Sequence, residues 1–384
     1  MPDATPRSVI SPIADLTRDD VARLRLVSQR LVPHPVLGLP PGPVEAVANL
    51  LAVQAQDLPA AHVAVASRTP GRDAAAVRAA LDDGRLVRTW PMRGTLHLLT
   101  AADAGWMTRL LGPRAMAAAA KRWLDVGLDD AAFDRALVVA RELLADGPAS
   151  RDELGAAWTG AGFEPGSSTT YRLLNGLATR GELVLGPVRG ADQLVVLAST
   201  WLPEGSRREH EPDEMLFADL VARYVAGHGP ASVADLVRWS YQTTGAVKKA
   251  VAVAAASGLV AAVTCEGRSL LGGPDLAGLV ADLDSVRAAT EGVLLTAAFD
   301  ELVLGYADRT ATLSPEEERL VVPGGNGMFK PVVVVDGRAV GTWARTGSKR
   351  DRLVVTPFAG TLPAAVEAAC QEAFAALPAA LPGR

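Results

Sequence analysis

The sequence predicts a helix-rich α+β fold in which a unit of two helices and a β-hairpin recurs along the chain and gives way to a C-terminal β domain. The first observation behind this is a weak internal repeat. DDGRLVRTWPMRGTLHLLT, TRGELVLGPVRGADQLVVLAS and AASGLVAAVTCEGRSLLGG each show a helix ending at or near a glycine (Gly84, Gly181, Gly258), then a short β-rich pair around a turn. The second is a change of pattern after about residue 290, where strand-like runs are separated by Gly-rich or Asp-Gly turns. The third is length, since 384 residues exceed what one small core organises. These divide the chain into regions at 16–125, 126–212, 213–290 and 291–384.

The elements follow in order. PGPVEAVANLLAVQAQDLP places Pro43 at a helix start, with Val47, Leu50 and Leu51 at helical spacing. Gln54 falls on that apolar stripe, where a Leu or Ala would be ordinary, and Leu58-Pro59 is expected to end the helix. The second unit is the clearest. Ser150-Arg-Asp-Glu153 forms a capping box, TTYRLLNGLATRG a second helix, and the following run a hairpin with Arg189 at its tip. In the third unit, HGPASVADLVRWS and TTGAVKKAVAVAAASG supply the helices. Helix, helix, hairpin is the winged-helix arrangement, and three copies suggest a tandem array. Beyond 290, Asp336-Gly337 marks a hairpin, VVPGGNGMFKP is a turn lacking the G-K-[ST] of a phosphate loop, and LPAAVEAACQEAFAALPAAL closes the chain as a helix.

Composition excludes several function classes. No basic-then-apolar leader and no run of 18 apolar residues occurs, so a cytoplasmic protein without a membrane span is expected. Cys265 and Cys370 stand in unrelated surroundings, and the five histidines show no H-x-x-x-H or H-x-H pairing. No metal and no cofactor are expected. The net charge of −5 is distributed unevenly: 85–122 holds seven basic residues against Asp103, and 330–352 holds six against Asp336 and Asp351. With +6 and +4 in those segments, the remainder carries −15. Such segregation fits either a basic face on an acidic protein or solvated surface arginines.

VQAQD, RTWPMRGTLHLLT, FDELVLGYADRT and NGMFKPVVVVDGRAVGTW, in that order, resemble the winged-helix DNA-binding family that includes the AlkZ-type DNA glycosylases, over about residues 16 to 375. The resemblance implies three winged helices scaffolded around a C-terminal β-barrel, with a concave surface for double-stranded DNA. It also implies a catalytic Gln-Φ-Gln motif with Φ aliphatic, matched by Gln54-Ala55-Gln56. Asp57, which follows, is distinct from the aspartate of a related Gln-Φ-Asp branch.

On a regular helix, residues i and i+2 point about 200° apart, so the two amides converge only if the helix ends between or just after them. Read without the family, Gln54 is a buried amide and Gln56 a solvated one; read with it, they form a water-positioning site. An amide accepts and donates hydrogen bonds but has no pKa useful for general base catalysis. Such equipment suits a base already primed to leave, a cationic N7-alkylated or N3-alkylated purine; the resemblance implies that bulky N7-guanine adducts, and by extension interstrand crosslinks, are also substrates. The expected reaction is monofunctional hydrolysis leaving an abasic site, by a monomer, in DNA repair or self-resistance. A non-catalytic DNA-binding regulator or sequestering protein is the rival reading. Arg88, Arg93 and His97 are the expected DNA contacts near the motif, with a core role open for His97. Lys349 and Arg350, on a second hairpin tip, are either further DNA contacts or a soluble turn, and Arg309 is either a structural ion pair or a DNA contact.

Overall fold

The computed structural model describes residues 10–190, 192–325, 327–348 and 351–378. Its strands are β1 (Pro12–Leu16), β2 (Val53–Gln54), β3 (Leu86–Met92), β4 (Thr95–Thr100), β5 (Leu183–Arg189), β6 (Asp192–Leu197), β7 (Ala261–Cys265), β8 (Arg268–Gly272), β9 (Val293–Leu295), β10 (Val332–Val335), β11 (Arg338–Thr346) and β12 (Arg352–Pro357). They form sheets ordered β2-β4-β3-β5-β6, β1-β7-β8 and β12-β11-β10-β9.

The described residues pack as two compact units. One holds those up to Pro40 with Asp213–Trp239 and Thr243–Leu377; the other holds Pro41–Pro212 with Ser240–Gln242. The chain thus passes between units after residue 40, within the proline-rich run PHPVLGLPPGP, after residue 212, and again on either side of 240–242.

The Pro41–Pro212 unit is a sheet covered by helices. Its two hairpins, β3-β4 and β5-β6, lie side by side through the pairing of Arg88 with Leu185, so two of the sequence repeats share one sheet. Arg93 and Gly94 form the β3-β4 turn with φ of 56° and 68°, as a two-residue hairpin loop requires. The helices Arg151–Gly160 and Ser167–Thr179 precede β5, the first capped by Ser150 and Glu153 as its sequence indicates. Both bury one face with Asp130–Leu144 in a core of Phe133, Leu154, Trp158, Leu173, Leu177 and Val195. Trp158 keeps its polar end satisfied by donating from Nε1 to the Ala136 carbonyl at 2.9 Å. Gly176 is dictated by packing, since a Cβ there would meet the Phe133 ring at 2.1 Å.

In the other unit, the helix Thr244–Ala256 leads into the third repeated hairpin, β7-β8, to which β1 adds in parallel. The C-terminal β domain is an open four-stranded antiparallel sheet rather than the expected barrel. Among the described residues β9 has three residues and β10 four, too few and too short to close on themselves, and the helix Ala364–Ala375 packs Phe374 edge-on against Trp343 of β11. Asp336 and Gly337 make the β10-β11 turn with φ of 49° and 89°.

FDELVLGYADRT forms the polar interior of this unit. The buried Glu301 carboxylate accepts from Trp239 Nε1 at 3.1 Å and lies 3.4 Å from His228 Nε2. Tyr306 donates its hydroxyl to the His228 carbonyl at 2.7 Å and accepts from Gln29 Nε2 at 2.9 Å. The Arg25 guanidinium lies 3.7 Å above the Tyr306 ring. Arg309 is buried, donates Nε to the Val303 carbonyl at 2.6 Å and pairs with Glu318, which makes it a structural ion pair. Buried polar groups endure when they find partners, and here each of these contacts has at least one member in this sequence motif.

Candidate active site

The helix opened by Pro43 ends at Leu50, four residues before Gln54. Leu51 takes a φ of 62°, which turns the chain, and Val53-Gln54 continues as β2 against β4. Leu58-Pro59 opens a helix, Leu58–Ala66, rather than closing one. Proline lacks an N–H that the first turn would leave unbonded anyway, and Asp57 caps that turn by accepting from Ala60 N at 3.0 Å. The amide on an apolar helical stripe is therefore an amide on a sheet edge, and the angular obstacle between i and i+2 disappears.

Strand pairing then sorts the side chains by face. Gln54 stands opposite His97, and His97 opposite Thr89, in one cross-strand row. Val53, Leu98, Arg88 and Leu185 make the adjacent row, whose side chains project from the other face. Gln54 is 8 % exposed and its two row partners are 0 % exposed. After Ala55, whose N–H still bonds to the Leu96 carbonyl at 2.8 Å, the chain leaves the ladder. Gln56 is thereby released from the alternation, and its Oε1 accepts the Leu96 N–H at 3.3 Å.

Gln56 lines a cleft of about 340 Å³ together with Arg88, Trp90, Arg151, Tyr171 and Gln193. Arg88 braces the motif. Its Nε donates to the Ala55 carbonyl at 2.8 Å, Nη2 to the Gln56 carbonyl at 3.3 Å and Nη1 to Gln193 Oε1 at 2.9 Å. Burial pushes its pKa down to about 10, which leaves it charged at neutral pH. Asp152, at the start of the helix Arg151–Gly160, and Asp192 of β6 also line the cleft. Sequence spacing could not identify these carboxylates, because 96 and 136 residues separate Asp152 and Asp192 from Gln56 and only the fold brings the three to one cleft.

The remaining expected contacts divide. Arg93 is half-buried at the hairpin tip, with Nη2 2.8 Å from His97 Nε2. His97 is interior, and burial followed by the Arg93 charge holds its pKa well below the usual imidazole range, so it is neutral and reaches a ligand only through Arg93. Lys349 and Arg350 lie outside the described residues. A residue not singled out from the sequence, His62, is 4 % exposed; burial, then the charges of Arg88 and Arg78, lower its pKa to about 4. Among the described residues no group of histidine, cysteine or carboxylate side chains could hold a metal ion, and no helix is long and apolar enough to cross a membrane.

The family model for AlkZ-like DNA glycosylases matches residues 47–379. The chain is 30 % identical over 353 residues to an interstrand DNA cross-link repair glycosylase of Streptomyces sahachiroi, covering 87 % of this chain and 89 % of that one. The solved structure of the Streptomyces sahachiroi DNA glycosylase AlkZ superposes with a TM-score of 0.74 at 26 % identity, over 96 % of this chain and 99 % of that one. On the extent of these matches, the chain belongs to the AlkZ-like DNA glycosylase family.

Proposed function

We propose that this protein is a monofunctional DNA glycosylase that hydrolyses the N-glycosidic bond of cationic N7-alkylated purines in double-stranded DNA, leaving an abasic site. The observation that carries the reading is Gln56, set in an open cleft with its backbone carbonyl held by a charged arginine. With Oε1 bonded to Leu96 N–H, a second lone pair and both amide N–H groups are available to a water and to the sugar. That equipment orients a nucleophile without deprotonating it, and suffices only where the leaving base is already activated by its own positive charge. The Asp152 and Asp192 carboxylates favour both a cationic base and the positive charge that develops on the sugar as the bond breaks.

Gln54 acts as a positioning residue, fixing β2 against β4 from the opposite face. The three helix-helix-hairpin repeats serve as tandem winged helices presenting the cleft to DNA, and the chain works as a monomer. The similarity to a cross-link repair glycosylase supports activity on bulky N7 adducts and unhooking of interstrand crosslinks, in repair or in resistance to an alkylating natural product. A second reading, a non-catalytic DNA-binding protein, draws support from the same burial of Gln54, since of the two motif amides Gln56 lines the cleft and Gln54 does not.

Release of free 7-methylguanine from methylated duplex DNA separates the two. Wild type is expected to release it, Gln56→Ala to lose most of the rate and Gln54→Ala a smaller share. No release by wild type from methylated DNA or from a bulky N7-guanine adduct overturns the enzyme reading. Equal release by all three proteins overturns the site.

A further inference from the structure

A second cleft, of about 370 Å³, shares Tyr171 with the first, and no acidic residue lines it. Arg93 reaches it from the β3-β4 turn, Arg122 from the helix Ala101–Leu124 and Arg172 from the helix Ser167–Thr179. Arg172 is held in place by its Nη1 donating to Ser168 Oγ at 2.5 Å. Arg114 lies 5.3 Å from the ring of Tyr241, which also lines this cleft, and Arg151 lies 5.5 Å from the Tyr171 ring. Among the described residues, Arg114, Arg122, Arg151 and Arg172 have no carboxylate within ion-pair distance, whereas elsewhere in this unit Arg141, Arg180 and Arg189 are neutralised by Glu182, Asp130 and Glu153. Uncompensated arginines gathered around one cleft create a local positive potential on a protein whose net charge is −5.

Tyr171 divides the clefts. It is 37 % exposed, and its ring stands edge-on to buried Trp90 at 6.0 Å, so an exposed aromatic face is anchored on the core. Planar guanidinium groups match phosphate oxygens in geometry and charge, and an exposed aromatic face stacks on any base. We propose that the second cleft binds the DNA backbone next to the target nucleotide, with Arg93, Arg122 and Arg172 on phosphates and Tyr171 stacked on the neighbouring base. This rests on the glycosylase reading for the assignment of the first cleft to the target nucleotide. The arginines around Tyr171 then act as a strand clamp that sets which nucleotide lies beside Gln56.

The test is equilibrium binding, by fluorescence anisotropy, to a labelled duplex carrying a tetrahydrofuran abasic analogue, which needs no turnover. Arg122→Ala and Arg172→Ala are each expected to weaken binding and to lower the slope of log affinity against log salt by roughly 0.9, the release of one phosphate's counterions. Tyr171→Ala is expected to weaken binding roughly 5- to 100-fold, while Tyr171→Phe keeps it. Arg141→Ala, already paired with Glu182, should bind as wild type. Thermal melting of each variant confirms that it is folded. Wild-type affinity and salt slope in a folded Arg122→Ala/Arg172→Ala double variant overturn the proposal, as does absence of binding by wild type. Loss of binding in the variants without base release by wild type would leave the clamp standing and sink the glycosylase reading. Base release with binding unchanged in every variant would do the reverse.

Discussion

FDELVLGYADRT and VQAQD are similar kinds of signal, polar residues interrupting apolar runs, yet they do opposite work. Around Glu301, in the unit containing the C-terminal sheet, the polar groups close on one another: Trp239, His228, Tyr306 and Gln29 form a buried set of donors and acceptors. Around Gln56, the set is left open on one side, and a guanidinium holds the backbone while the amide faces a cleft. A closed network stabilises and specifies packing, whereas an open one retains hydrogen-bonding capacity for a ligand. Substitutions should therefore separate stability from activity cleanly between the two regions.

The largest effect belongs to the closed network. Glu301→Ala removes the shared acceptor and strands both the Trp239 N–H and His228 Nε2 in the interior, which is expected to cost about 1–3 kcal/mol for each group left without a partner. Chemical denaturation measures this directly, and a loss below about 1 kcal/mol would show that the network is replaceable. Gln56→Ala is its counterpart, with stability expected within about 0.5 kcal/mol of wild type because the side chain is exposed. Its excision rate, in contrast, should fall roughly 100-fold, about 2.7 kcal/mol of transition-state stabilisation. Equal destabilisation by the two substitutions would break the comparison.

Much of this contrast was legible in the sequence, and its limits are physical. The hairpins, the capping box at Ser150 and the Asp336-Gly337 turn are local, set by residues within a few positions of one another, and the chain forms them where expected. The path of the chain through VQAQD was misread because Val47, Leu50, Leu51 and Gln54 keep helical spacing across a turn at Leu51 that tertiary packing imposes. The barrel expected from the resemblance was misjudged because strand length and number decide closure, and β9 and β10 are short. The carboxylates of the cleft and the unpaired arginines beside it arise from contacts between distant segments, which no spacing encodes.

Acid sharpens the comparison further. The His62 pKa falls from an ordinary 6.5 to about 4 in the folded protein, so between these values the unfolded chain binds a proton that the folded chain excludes. Stability contributed by neutral His62 is therefore complete above about pH 6.5 and is lost as pH falls towards 4, by about 1.4 kcal/mol per pH unit in the middle of that window. Buried His97 shifts in the same direction and adds to the slope. Both histidines lie in the Pro41–Pro212 unit, so acid should weaken the unit that carries Gln56. Thermal melting against pH should show a shallower slope in His62→Phe than in wild type; an unchanged slope would mean that His62 is not excluded from protonation.

The smallest effect tests whether Arg88 contacts DNA or braces the motif. A guanidinium donates to Ala55, Gln56 and Gln193 at once because its N–H groups fan out in a plane, whereas a lysine ammonium on a shorter reach can satisfy one of the three. Arg88→Lys keeps the charge, so a phosphate contact would survive it with little change in DNA affinity. A brace would not survive, because the Gln56 carbonyl would be released and the amide would lose its set position over the cleft. The expected outcome is a stability loss of about 1 kcal/mol and a several-fold fall in base release, with DNA binding and its salt dependence nearly unchanged. A fall in affinity that matches the fall in release would instead place Arg88 among the DNA contacts, and the open side of the network would then extend from Gln56 to the guanidinium itself.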